Sequence, residues 1–174
     1  VYYRAHYAMA ATISLDVNPS VEIIVNRQDK VLEANSRNAD GDVILKEMDL
    51  KGSDLNVAVN AIIGSMVRNG YINELSNSVL VSVNSKDAQA GAALQEELTR
   101  EITIAMDGYT FSAAVMSQTV EEDAQLQAEA DSHNISLGKA KLISQIVAQK
   151  NQYTFDDLAA LSINELNLIS ESPS

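Results

Sequence analysis

Asn18 and Pro19 meet at the centre of a period-2 pattern, and an Asn-Pro bond has a chemistry of its own. Pro19 carries no backbone N–H, so the usual attack of the following backbone nitrogen on an Asn side chain is closed. The reverse cyclisation stays open. The Asn18 side-chain nitrogen attacks its own backbone carbonyl, a succinimide forms, and Pro19 leaves as a free amine. An amide nitrogen is a poor nucleophile, so the reaction needs enforced geometry, strain and a donor for the developing oxyanion. The same dipeptide is also a good turn initiator, and on these residues alone both readings stand.

Asp16, Ser20 and Glu22 flank the bond and are the candidates to assist it. Asp16 and Glu22 are also a carboxylate pair of the kind that glycoside hydrolysis uses, or else ordinary solvated strand residues, which is the plainer reading. Ser14 and Ser20 lack a Ser-His-Asp context. His6 and His133 have no metal-ligand spacing, there is no Cys, and the 7 Gly are scattered at turns rather than gathered in a phosphate loop. No cofactor and no metal are expected.

The elements that position the corner follow from periodicity. Ile13, Leu15 and Val17 alternate with Thr12, Ser14 and Asp16, and Val21, Ile23 and Val25 repeat the pattern beyond Pro19, so two short strands join at Asn-Pro. A third strand is expected over 31–36, closed by Asn38-Ala39-Asp40-Gly41, with a short helix over 43–48. The strongest helix opens near Ser53-Asp54 on the stripe Leu55, Ala58, Val59, Ile62, Ile63, Met66, and Asn69-Gly70 stops it. A buried strand over 78–84, a helix over 86–106 with Leu94, Leu98, Ile102 and Ala105 inward, and a last strand over 110–117 complete the order. From Thr119 the pattern is all helix. Thr119-Val120-Glu121-Glu122 and Ser162-Ile163-Asn164-Glu165 both read as capping boxes. The expected fold is α+β: an N-terminal hairpin in a twisted sheet with helices packed on one face, then a short helical C-terminal subdomain. The expected division is 1–10, 11–118 and 119–174.

The string Ser14-Leu15-Asp16-Val17-Asn18-Pro19-Ser20-Val21-Glu22, then Val25-Asn26-Arg27, resembles the extracytoplasmic domain of RsgI-type anti-sigma factors of Gram-positive bacteria. Asn38 with Asp40-Gly41, Asp49-Leu50-Lys51-Gly52 and Asn69-Gly70-Tyr71 extend the resemblance, and looser helical matches follow at 138–143 and 153–159. The resemblance implies self-cleavage between Asn18 and Pro19, with residues 1–18 remaining paired to 19–174. It implies a longer single-pass protein, of which this is the excised outer domain. A cytoplasmic segment would bind a sigma factor, and separation of the cut pieces would expose the membrane helix to an intramembrane protease. An extracellular polysaccharide sensor domain is a further partner it suggests. Self-cleavage consumes its own catalyst, so this is a single-turnover event rather than an enzyme with a substrate in solution.

Composition agrees. Lys and Arg total 12 against 24 Asp and Glu, a formal charge of -12, which argues against nucleic acid and against anionic lipid. The opening Val1-Tyr2-Tyr3-Arg4-Ala5-His6-Tyr7 holds three of the six Tyr, the mix found where a chain leaves a membrane, and 1–10 is read as juxtamembrane. The alternative classes are an uncleaved extracellular ligand- or polysaccharide-binding module and a structural interaction module. The first expects an aromatic groove, yet there is no Trp.

Overall fold

The computed structural model describes residues 8–173, so all but the last three residues of the juxtamembrane reading of 1–10 lie outside the described residues. Five strands, β1 (Ala11–Asp16), β2 (Ser20–Val25), β3 (Val31–Ser36), β4 (Ser78–Ser85) and β5 (Ala114–Thr119), form one sheet in the order β3-β2-β1-β4-β5. All neighbours are antiparallel except β4 and β5, which run parallel. β1 is therefore the central strand, paired to β2 from Ala11↔Val25 to Asp16↔Ser20 and to β4 from Ala11↔Ser85 to Asp16↔Leu80.

Three helices, α1 (Ala39–Leu45), α2 (Leu55–Arg68) and α3 (Ala88–Asp107), cover one face. The period-2 residues Ile13, Leu15, Val21, Ile23 and Val25 meet the helical stripes Val59, Ile62, Ile63, Met66 and Leu94, Leu98, Ile102 in one core. Met106 is buried where the sequence suggested Ala105, so the stripe closes one residue later than expected. Asn69-Gly70 ends α2 as expected, with Gly70 at φ 79.

Four further helices, α4 (Ala124–Ser132), α5 (Leu137–Gln149), α6 (Phe155–Ala159) and α7 (Ile163–Glu171), pack on the opposite face. Leu80 of β4 joins Ala140, Ile143, Ile146, Leu158, Ile163 and Leu166 in a second core. Within the α+β class the expected one-sided helices are α1 to α3, and the helical extension fills the other side. None of the helices among the described residues is long and apolar enough to cross a membrane.

Local expectations are revised at three places. The string Asn38-Ala39-Asp40-Gly41 starts a helix rather than only ending a strand, so the helix expected over 43–48 runs 39–45 instead, because Asn38 caps it through a bond from the Gly41 N–H and Glu47 turns left-handed beyond it. The last strand runs 114–119 instead of 110–117, after Tyr109 and Phe111 stack at 5.8 Å. Thr119 does not open a capping box. It stays in the parallel ladder opposite Val83, and α4 begins after Asp123, whose carboxylate accepts from the N–H groups of Gln125 and Leu126. The box at Ser162 forms as expected, and Thr154 makes another with Asp157.

Candidate functional site

The connection between β1 and β2 is Val17-Asn18-Pro19, closed at its base by the pair Asp16↔Ser20. Val17 N–H donates to the Pro19 carbonyl at 3.0 Å, Val17 and Pro19 are buried, and Asn18 is exposed. Left-handed backbone occurs at Asp29, Glu47, Asn134, Gly52 and Gly70, all away from this corner. Its geometry is held by hydrogen bonds and packing rather than by a strained φ.

α1 supplies those bonds. Arg37 N–H donates to the Ser20 carbonyl at 2.9 Å, which draws the start of α1 against the corner. The approach is close enough that a Cβ on Gly41 would lie 2.4 Å from the Ser20 oxygen, so only glycine fits there. Asn38 Oδ1 then accepts from two backbone donors, Gly41 N–H at 2.8 Å and Ser20 N–H at 3.2 Å. With the oxygen fixed by two donors, the amide nitrogen must point away, and it donates to the Asn18 backbone carbonyl at 2.8 Å. Asn18 Nδ2 in turn donates to Asp40 Oδ2 at 2.7 Å. The other oxygen of Asp40 accepts from the Tyr71 hydroxyl at 2.8 Å, which fixes the carboxylate and holds Tyr71 above its ordinary value of 10.0.

Chemically, this places an acceptor on the nitrogen that would attack and a donor on the carbonyl that would be attacked. Ring closure from a residue's own side chain already has the proximity advantage of an intramolecular reaction. Asn38 sits where an oxyanion would need a donor. Asp40 sits where the attacking nitrogen must lose a proton.

The flanking candidates lie elsewhere. Asp16 does not touch the Asn18 amide. Its carboxylate is 1% exposed and accepts from Ser20 Oγ and Ser136 Oγ, each at 2.6 Å. Burial raises its pKa from 3.8 against the opposing pull of those hydroxyls and of Lys139. Glu22 is half-buried beside Arg37 at 3.3 Å, and burial likewise raises it from 4.5. The solvated-strand reading fails for Asp16 because α5 covers its face. Asn38, Asp40 and Tyr71 are what the sequence reading left without a role. The signal was present in Asn38 followed by Gly41, a capping residue and the third helical position.

The raised groups set a pH dependence. Asp29 is raised by burial and Glu97, and His133 is raised above 6.5 by the Glu129 backbone carbonyl and by Asp156. Between the ordinary and the raised value the folded chain binds more protons than the unfolded chain, so stability falls as pH rises through that interval. Asp16, Glu22, Asp29 and His133 all have this sign. Asp157 is held below 3.8 by Thr154, and its contribution is lost only in stronger acid, while burial lowers Lys139 from 10.5 and its opposite effect begins from the alkaline side. Thermal unfolding should therefore occur at a higher temperature at about pH 5 than at about pH 8, as read by calorimetry. A lower midpoint at pH 5 would contradict this.

The fold and this corner define a class. The chain belongs to the RsgI-like anti-sigma factor family, matching over residues 10–145 the family described as Anti-sigma factor RsgI-like central domain. Anti-sigma-I factor RsgI9 of Acetivibrio thermocellus is 28% identical over 161 residues, which cover 90% of this chain and 23% of that protein. Anti-sigma-I factor RsgI6 of the same organism is 24% identical over 167 residues, 90% of this chain and 21% of that protein. Anti-sigma-I factor RsgI of Bacillus subtilis is 24% identical over 132 residues, 74% of this chain and 33% of that protein. The chain thus spans 21% to 33% of the length of these relatives.

Proposed function

We propose that this chain is the outer domain of a membrane-anchored anti-sigma factor and that it cuts itself between Asn18 and Pro19. The observation that carries the reading is the pair of bonds at one residue: Asn18 Nδ2 to Asp40 at 2.7 Å and Asn38 Nδ2 to the Asn18 carbonyl at 2.8 Å. Asp40 takes a proton as Nδ2 closes on the Asn18 carbonyl carbon. The Asn38 amide stabilises the oxyanion. The carbon–nitrogen bond to Pro19 then breaks, the Pro19 nitrogen gains one proton, and the upstream piece ends in a succinimide that water opens.

The two pieces remain paired. Ile13, Leu15 and Val17 are 0–1% exposed, and each contributes about 1.5–3 kcal/mol by burial. Central placement between β2 and β4 adds two ladders of main-chain bonds. Such a strand is stable at rest and yields by unfolding under load. Its separation is the event that exposes a membrane helix to an intramembrane protease and frees a sigma factor bound by a cytoplasmic segment. An extracellular polysaccharide sensor domain is the source of load this reading favours. The chain is a regulator, and its one chemical step is single-turnover.

The test is the mass of freshly purified, denatured protein. Two species, 1–18 and 19–174, are expected. Asn38→Asp keeps the cap, since Asp caps as well as Asn, but removes the donor on the carbonyl. Its cleavage should be slower by roughly 10²–10³. A whole chain from the unsubstituted protein, stable over days, would return the domain to the binding-module reading. Undiminished cleavage in Asn38→Asp would remove the oxyanion role.

A further inference from the structure

The helical layer starts two of its helices against the residues just upstream of the Asn18-Pro19 bond. Ser162 caps α7, and the first N–H of that helix, on Ile163, donates to the Val17 carbonyl at 2.8 Å. Ser136 caps α5 by accepting from Lys139 N–H, and its hydroxyl donates to Asp16 Oδ2 at 2.6 Å. The other Asp16 oxygen accepts from Ser20 Oγ, across the bond, at 2.6 Å. Helix N-termini carry backbone donors with no partner inside the helix. Here one such donor is spent on a strand carbonyl, and a capping hydroxyl on a buried carboxylate. A solvated face would need neither. The approach of α5 is also tight: a Cβ on Gly138 would lie 2.0 Å from Ser82 Oγ on β4.

We propose that the seam formed by the starts of α5 and α7 is a clasp that sets how long the cut strand stays bound, so that lifting the helical layer off the sheet, rather than unzipping the ladder alone, controls release. The inference rests on the self-cleavage reading above. Sheet pairing grips β1 along its whole length and would do so in any sheet. The clasp's hydrogen bonds fall at Asp16 and Val17, the trailing end of a strand drawn out by its N-terminus. A binding partner or a load that displaces the helices of residues 124–171 then shortens the life of the pair without touching the strand. This gives the helical extension a role in retention, and it makes the extension part of the same working unit as the sheet.

Ile163 allows a clean test. Proline is well accepted at the first position of a helix, and Ser162 at φ -74 and ψ 165 already has the extended backbone that a residue before proline adopts. Ile163→Pro therefore removes the N–H and sets its ring Cδ where the proton lay, which forces the Val17 carbonyl out of the contact while the helix start is retained. Ile163→Val keeps the N–H and trims the buried side chain to a similar volume, and so serves as its reference. In the full chain, with the cut verified by denatured mass, dissociation of a dye-labelled 1–18 piece is followed in fixed urea. Ile163→Pro should release it at least about tenfold faster than Ile163→Val, the order expected when one buried hydrogen bond is lost and its acceptor is pushed aside. Equal release rates would overturn the clasp. The same pair of substitutions in an Asn18→Ala chain, followed by hydrogen exchange, should show protection of the β1 amides reduced in Ile163→Pro alone. Unchanged protection there also counts against the clasp. A chain that proves whole by mass overturns self-cleavage, and the exchange comparison then still decides whether the seam pins the strand.

Discussion

Asn18→Ala should give a folded chain of a single mass, uncut after days under conditions in which the unsubstituted protein is already two pieces. The substitution removes the attacking nitrogen and almost nothing else. Asn18 is exposed at the tip of the corner, and its side chain makes one bond, to Asp40. An exposed hydrogen bond of that kind contributes on the order of 1 kcal/mol or less, so the thermal midpoint should stay within a few degrees. Val17 and Pro19 remain buried, and Asn38 still bonds the backbone carbonyl of residue 18, which an alanine keeps. Asn18→Asp should also stay whole at neutral pH, although it sets a second carboxylate against Asp40. If Asn18→Ala were still cut before Pro19, no cyclisation through residue 18 could account for it, and the mechanism would fall.

The hairpin was legible because its information is local. Ile13, Leu15, Val17, Val21, Ile23 and Val25 alternate with polar residues, and a one-residue slip would turn all of them outward. The α2 stripe and the Ser162 capping box were legible for the same reason, since each is written within about one or two helical turns. The second face was less legible because alternation identifies two faces of a strand without saying what covers the second. Thr12, Ser14 and Asp16 look like a solvated row. A closer clue is side-chain size: Ser14, Ser20, Ser78 and Ser82 are small, and all four are buried beneath the helical layer. Long charged side chains would be expected on an open face. Buried serines let α5 come close at Gly138 and leave Asp16 with hydroxyl partners from two elements.

The corner itself was half legible. Asn18-Pro19 is contiguous, so its intrinsic reactivity can be read from two letters. The groups that bond to Asn18 come from distant positions, and no spacing rule joins Asn18 to Asp40 or Asp40 to Tyr71. Asp16, Ser20 and Glu22 were the natural candidates because they are near in sequence. In a strand, however, side chains of alternate residues point to opposite faces. Asp16 and Ser20 face α5 and the helical layer, and the corner's amide faces α1 instead.

Asp40 carries the other large expectation. Asp40→Asn keeps the shape of the side chain and leaves an oxygen and a nitrogen to meet Asn18 and Tyr71, but it can no longer take a proton from the attacking amide. Loss of a positioned base costs roughly 10²–10⁴ in rate, so Asp40→Asn should accumulate as whole chain and cut over days rather than during expression. Slowing alone would not separate chemistry from positioning, since Asp40 also anchors the Asn18 side chain through its bond to Tyr71. Asp40→Ala separates them. It leaves a half-exposed gap at the corner, open to a small carboxylate from solution. If Asp40 acts as the base, added formate should restore part of the cleavage rate in Asp40→Ala in proportion to its concentration, while chloride at the same ionic strength should not. Tyr71→Phe leaves the carboxylate in place and frees one of its oxygens, so its effect should be smaller than that of Asp40→Asn. Wild-type cleavage in Asp40→Asn would assign the proton to solvent and reduce Asp40 to a residue of the first turn of α1. Strong slowing without formate rescue would mean that Asp40 works by fixing the geometry of the Asn18 side chain.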